Sequence, residues 1–241
     1  MKKIFKKLYN KDAESYYKYV KNCLSKNKKI FIVTANPETF MLSKQDDEML
    51  KILSDKDVSI VPDGIGVVKA AHILGIDIKE RITGVDIAVK LLEYCNDLNK
   101  TLYLFGAKEE VIDLMRKVIQ EKYPNIKLVG ATNGYVKDKD KVMKKISSLK
   151  PDVVMVALGI PAQERLIYKH LDKFEKGIFI GVGGSFDVIS GYKKRAPKIF
   201  IKTNTEWLYR IVSEPKRIKR FWNSNVKFLF QVKKVKNEES N

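Results

Sequence analysis

Six short apolar runs, each separated from the next by an amphipathic stretch of helical length, constrain this chain more than any other feature. The runs are Ile30–Thr34, Val58–Val61, Thr101–Phe105, Lys127–Ala131, Asp152–Leu158 and Ile178–Val182. Most are rich in Val and Ile and almost free of charge, as strands covered on both faces must be. Helical patterns lie near 39–54, 64–75, 84–98, 107–122, 138–149 and 161–172. This alternation predicts an α/β fold: a Rossmann-like, doubly wound, mainly parallel sheet with ligands at the carboxyl ends of its strands. After Tyr192 the strand-like runs stop and basic, aromatic helical segments take over. The expected organisation is an α/β body over 1–191 and a basic helical C-terminal appendage over 192–241.

Charge follows the same division. Of the net +18, residues 1–29 carry +8 and residues 192–236 carry +12, whereas 30–191 balance at zero. A neutral body with basic ends suits a polyanion, whether lipid headgroups, nucleic acid or diphosphates. In the tail Ser213 and Pro215 read as a helix start. Ile218, Phe221 and Trp222 then fall within about 100° of helical arc, with Lys216, Arg217, Lys219 and Arg220 around them. Val226, Leu229 and Phe230 extend that apolar face. Such a helix fits the plane of an anionic bilayer surface. The alternative is a helix docked on the body with its basic residues in solvent. The apolar face also leaves room for homo-oligomers.

Several classes are disfavoured. Two cysteines, Cys23 and Cys95, build no disulfide framework or zinc spacing. The basic segment Met1 to Asn10 lacks the apolar core of a signal peptide, and no run of eighteen apolar residues occurs. The reading is therefore a cytoplasmic chain with peripheral membrane contact. No P-loop is present, and the glycine-rich turn comes late rather than after the first strand. His72 and His170, expected on helix surfaces, do not make a triad or metal cluster. Asp55-Lys56-Asp57 and Asp138-Lys139-Asp140 lie in polar stretches, unlike a metal-holding Asp-x-Asp at a strand end.

Chemistry is expected in the strand-end loops. Thr34 and Asn36 follow the first strand and offer a hydroxyl and an amide to a sugar or phosphate; helix capping is the alternative. Asp63 ends the second strand before Gly64 and Gly66, placed to act as a general base or to cap the next helix. Arg81 precedes a helix start and can hold a carboxylate or phosphate. Gly134 and Tyr135 follow the fourth strand, where a ring could stack on a base. Gly159 and Gln163 open the helix after the fifth. Gly183, Gly184 and Asp187 form a turn after the sixth whose backbone N–H groups suit an anion or nucleotide.

Taken together, Thr34-Ala-Asn-Pro-Glu, Val61-Pro-Asp-Gly-Ile-Gly, Arg81-Ile-Thr-Gly-Val-Asp, Leu104-Phe-Gly-Ala, Asn133-Gly-Tyr, Gly159-Ile-Pro-Ala-Gln-Glu and Gly181-Val-Gly-Gly-Ser-Phe-Asp resemble the WecG/TagA/CpsF glycosyltransferases. They occur in the family's order over about residues 10–225, and the lysine-rich, low-cysteine chain is most similar to the TagA branch. The resemblance implies transfer of N-acetylmannosamine from its UDP donor to the 4-hydroxyl of N-acetylglucosaminyl-diphospho-undecaprenol. The product would be the β-1,4-linked disaccharide of the wall teichoic acid linkage unit, formed with inversion and without a metal or other cofactor. It implies Asp63 as the base and Thr34, Asn36, Arg81 and Gln163 as pocket residues. Gly134, Tyr135, Gly159, Gly183 and Asp187 become nucleotide contacts. Arg210, Arg217 and Arg220 become the appendage arginines, able to neutralise departing UDP or to grip lipid. A UDP-N-acetylmannosaminuronic acid or UDP-glucose donor is the variant within the family. A nucleic-acid-binding protein using the basic tail explains the charge but leaves the loops idle. A nucleotide-dependent oxidoreductase lacks the early glycine fingerprint.

Overall fold

Strand residues alternate between two buried faces, and that alternation builds the molecule. The computed structural model describes residues 1–213, 218 and 221–240, without the side chains of Lys202, Arg210, Asn223 and residues 238–240. Six strands form one all-parallel sheet: β1 (Lys29–Ala35), β2 (Val58–Pro62), β3 (Thr101–Gly106), β4 (Lys127–Thr132), β5 (Val153–Ala157) and β6 (Gly177–Gly181). Their order is β2-β1-β6-β5-β3-β4.

Phe31, Val33, Ile60, Tyr103, Phe105, Val154, Val156 and Phe179 pack on one face. That face is covered by α1 (Lys2–Lys7), α3 (Pro37–Leu42), α4 (Asp47–Ser54), α5 (Ile65–Ile73), α8 (Lys139–Leu149) and α9 (Ala162–His170). Ile30, Ile32, Leu102, Leu104, Met155, Ile178 and Ile180 face the other way. They meet α2 (Ala13–Ser25), α6 (Gly84–Asp97), α7 (Glu109–Lys122) and α10 (Ser185–Ile189). The period of two in the strands thus sorts the helices into two layers. Polar caps set where helices begin: Asp12 accepts from Ser15 N, Thr83 from Asp86 N and Asp138 from Lys141 N.

The helical pattern over 39–54 resolves into two helices. Residues 43–46 turn the chain, and Asp46 accepts from the N–H groups of Glu48 and Met49 to start α4 afresh. Edge strand β2 is partly covered by the N-terminus, where Leu8 bridges Ile60 and Tyr9 N–H donates to the Ile60 carbonyl. His170 is not on a surface. It is buried, and its Nε2 lies 2.5 Å from Asp140 Oδ1.

Beyond β6 the chain forms α11 (Lys198–Lys202), α12 (Glu206–Ser213), a π-helical turn (Trp222–Val226) and α13 (Lys227–Ser240). Ser213 is the last residue of α12 rather than a cap, and residues 214–217 lie outside the described residues. The tail's apolar residues divide between two surfaces. Phe228 and Val232 are buried in the body, with Phe228 ring-to-ring against Phe40 at 5.5 Å and Phe5 at 6.2 Å. Trp222 and Phe230 stay exposed, as does Ile218, while Phe221 stacks on Trp207 at 4.6 Å. Docking therefore takes Phe228 and Val232, with the stripe residue Leu229 packed beside them, and leaves Trp222 and Phe230 outside.

Candidate active site

Two clusters of loops meet at the carboxyl edge of the sheet. The first surrounds β1 and β2. Asp63 N–H donates to the Ala35 carbonyl (2.9 Å), and Ile82 N–H donates to that of Pro62 (2.8 Å). The start of α6 lies against Thr34, because a Cβ on Gly84 would sit 3.4 Å from the threonine methyl. These contacts bring Thr34, Asp63 and the Arg81–Thr83 segment together. Asp63 is partly exposed there, and the cap of α5 is Gly64 at φ 96°, a conformation that favours glycine. The N-cap position of α5 thus falls on Gly64, one residue beyond Asp63.

Arg81 is nearly buried and held from the appendage. Its guanidinium lies 3.6 Å from Glu206 and donates to the Ile201 carbonyl at 3.4 Å. A second ion pair joins Arg195 to Asp86 at 2.7 Å, and Asp86 also accepts from the Thr83 hydroxyl at 2.5 Å. The π-helical turn approaches from the other side: a Cβ on Gly66 would meet the Pro37 ring at 3.2 Å and Asn225 at 3.8 Å. The appendage thus flanks the Asp63 loop. Of its three arginines, Arg217 and Arg220 lie outside the described residues, and Arg210 is placed on α12 by its backbone alone.

The second cluster marks a topological switch. From β3 the chain leaves through α7 on one face towards β4; from β5, its neighbour, it leaves through α9 on the opposite face towards β6. Loops that diverge between adjacent strands open a crevice. At its floor Ala107 N–H donates to the Ala157 carbonyl at 2.8 Å. Gly106 has φ 122°, and a Cβ there would lie 2.5 Å from the Ala157 carbonyl carbon, so no other residue fits. Gly134 is pressed close as well, with its N–H donating to Ala107 O (2.8 Å) and Leu158 2.9 Å from a would-be Cβ. Asn133 accepts from Tyr135 N–H and bonds Glu109, which leaves the Tyr135 side chain standing exposed on the rim. Gly159 and Gly183, at φ 79° and 49°, face open space.

Gln163 and Asn36 both spend their side-chain oxygens inside the protein. Gln163 Oε1 accepts from Gly159 N–H (3.1 Å) and Gly183 N–H (3.0 Å), while its Nε2 donates to Glu164 (2.8 Å). Asn36 forms a capping box with Thr39, the alternative weighed for it. Asp187 lies on α10, where Lys193 N–H donates to its carbonyl and the lysine ammonium is 3.6 Å from its carboxylate.

Sequence reasoning missed the parts played by Glu164, Glu206 and the Arg195–Asp86 pair. An acid in the first turn of a helix reads as an ordinary dipole partner, yet Glu164 is buried, and burial pushes its carboxyl up to about 7. Among the described residues no group of three His, Cys, Asp or Glu could hold a metal. In the two Asp-x-Asp triplets three carboxylates are engaged internally: Asp55 by the Tyr168 hydroxyl, Asp138 by the α8 backbone and Asp140 by His170 and Lys169. No helix among the described residues is long and apolar enough to cross a membrane.

The profile described as "Glycosyl transferase WecG/TagA/CpsF family" matches residues 4–241. The chain is 38% identical over 232 residues to the N-acetylglucosaminyldiphosphoundecaprenol N-acetyl-beta-D-mannosaminyltransferase of Bacillus subtilis strain 168, covering 96% of this chain and 90% of the relative. It is 41% identical over 197 residues to the enzyme of the same name from Bacillus spizizenii, covering 82% and 76%. With that of Staphylococcus aureus strain MW2 it shares 38% over 208 residues, covering 86% and 81%.

Proposed function

The chain belongs to the WecG/TagA/CpsF glycosyltransferase family, and on that premise we propose that it transfers N-acetylmannosamine from UDP-N-acetylmannosamine to the 4-hydroxyl of N-acetylglucosaminyl-diphospho-undecaprenol. The product is the β-1,4 disaccharide lipid of the wall teichoic acid linkage unit. What the similar enzymes are named to do carries the donor and acceptor. The placement of Asp63 supports the chemistry. It stands at the lip of β2, backbone-bonded to the end of β1 and beside the Arg81 segment. In this reading Asp63 takes the proton from the acceptor hydroxyl as that oxygen attacks the anomeric carbon from the face opposite UDP. Configuration inverts, and UDP leaves with the bonding electrons.

Charge developing on the leaving diphosphate must be met by fixed donors. Arg81 and the appendage arginines Arg210, Arg217 and Arg220 supply guanidinium groups for this, so the reaction proceeds without a metal. The switch-point crevice, with Gly134, Tyr135, Gly159 and Gly183 around it, takes the nucleotide, and Asp187 borders it. Thr34 lies with the acceptor sugar, and Asn36 and Gln163 act by shaping the loops that carry it and the nucleotide.

Because the acceptor is a lipid, we place the chain at the cytoplasmic face of the membrane, with exposed Trp222, Phe230 and the basic residues of the tail against anionic headgroups. The experiment is a panel of UDP-N-acetylmannosamine, its uronic acid and UDP-glucose with a short-chain lipid acceptor, with and without EDTA. Transfer from the first donor, unchanged by EDTA, is expected. Transfer from another donor alone, or loss of turnover on chelation, sinks the corresponding part. Retention on anionic vesicles but not on duplex DNA at physiological salt separates the lipid reading from a nucleic-acid one.

A further inference from the structure

We propose that Glu164 is a positioning residue for the nucleotide crevice: its carboxyl fixes the amide of Gln163 in the one orientation that ties the loops after β5 and β6 together. This rests on the crevice being the nucleotide site. The two ends of a glutamine amide differ, one accepting and one donating. Here Oε1 receives two N–H groups from residues twenty apart, Gly159 and Gly183. Turned the other way, the amide would set its own N–H groups against those two donors. The Nε2 donation to Glu164 at 2.8 Å holds it in the accepting sense.

The space around the amide is made for it. Gly181 lies beneath: a Cβ there would be 2.8 Å from Gln163 Cδ and closer still to Nε2. Gln163 and Glu164 are both about 2% exposed, so water does not replace a lost bond. Glu164 Oε2 is buried without a hydrogen-bond partner. Such an oxygen is tolerable on a neutral acid and costly on a carboxylate. Burial, with a smaller contribution from the Glu38 charge, holds the proton to about pH 7. Burial thus lessens the negative charge that the acid sets beside a site that must receive a diphosphate.

The test uses the full chain, with UDP as the probe, calorimetry for affinity and NMR for amide exchange at Gly159 and Gly183. Glu164→Ala is expected to weaken UDP about tenfold, the scale of one buried hydrogen bond, and to speed exchange at both amides together. Glu164→Gln, which keeps an acceptor in place, restores both. Because Glu164 acts through Gln163, the Gln163→Ala/Glu164→Ala double variant binds UDP no more weakly than Gln163→Ala alone. If Glu164→Ala does not fold, Glu164→Asp withdraws the acid by one methylene and gives the same release. Unchanged protection at both amides, or an additive double variant, overturns the proposal. A wild-type chain that binds no UDP sinks the donor assignment instead, and exchange at the two glycines then decides the role of Glu164 alone.

Discussion

Asp63 is where the chemistry is most exposed to test. Replacing it by Ala removes the proposed base, and transfer should fall by about 10²–10⁴-fold, the usual share of general base catalysis. UDP affinity, set by the crevice across the sheet, should stay near the wild-type value; full turnover in that variant would remove Asp63 from the mechanism. Two other acids give the protein opposing pH responses. Hydrogen bonds from His170 and Lys169 lower Asp140 from 3.8 to about 2, so its contribution is whole above 3.8 and lost as pH falls towards 2. Burial raises Glu164 from 4.5 to about 7, so its contribution is whole below 4.5 and lost as pH rises through 7. Melting temperatures measured against pH should lose slope between about 2 and 3.8 in Asp140→Asn and between 4.5 and about 7 in Glu164→Gln. Unaltered slopes would mean that these groups do not control the profile. Residue type and spacing pointed to Asp63 correctly as a strand-end acid. They could not show Glu164, since a sequence lists an acid without its dielectric surroundings.

The helix of most consequence at the next scale is α13. Its sequence offers several apolar faces, and contact with Phe5 and Phe40 selects the one carrying Phe228 and Val232. Phe228→Ala deletes a buried ring at the joint of α1, α3 and α13. A loss of about 3–5 kcal/mol is expected from the cavity and transfer terms, seen as a lower melting temperature with earlier proteolysis in the tail. A silent variant would mean that α13 does not dock. Trp222 and Phe230 lie on exposed surface and carry no such cost. Periodicity finds amphipathic faces but not which partner covers each. The division of the 39–54 pattern has a similar origin: its apolar spacing continues through the break, and only the Asp46 cap decides where α4 starts.

For the molecule as a whole, body and appendage are joined by ion pairs and by packed rings. Arg81–Glu206 and Arg195–Asp86 cross between them, and Phe228 completes the cluster on the sheet's first face. Deleting residues 192–241 should therefore lower the melting temperature and increase binding of an apolar dye, as Phe5 and Phe40 lose their cover, and should abolish most transfer. A truncated chain as stable and as active as the full one would separate the appendage from both fold and site.

The sequence by itself determined the alternation of strands and helices, hence a parallel sheet with loops gathered at one edge, and it named the residues in those loops. Those properties are local: they depend on period, turn chemistry and the absence of charge from buried strands. Tertiary structure decided the strand order, and with it the crevice between β3 and β5. It also turned Gln163 and Asn36 inward, gave Arg81 an acidic partner from the tail, and buried one carboxyl beneath the glycine loops, where its pKa is raised. Each of these depends on which distant segments exclude water from one another, and that is fixed only when the whole chain has packed.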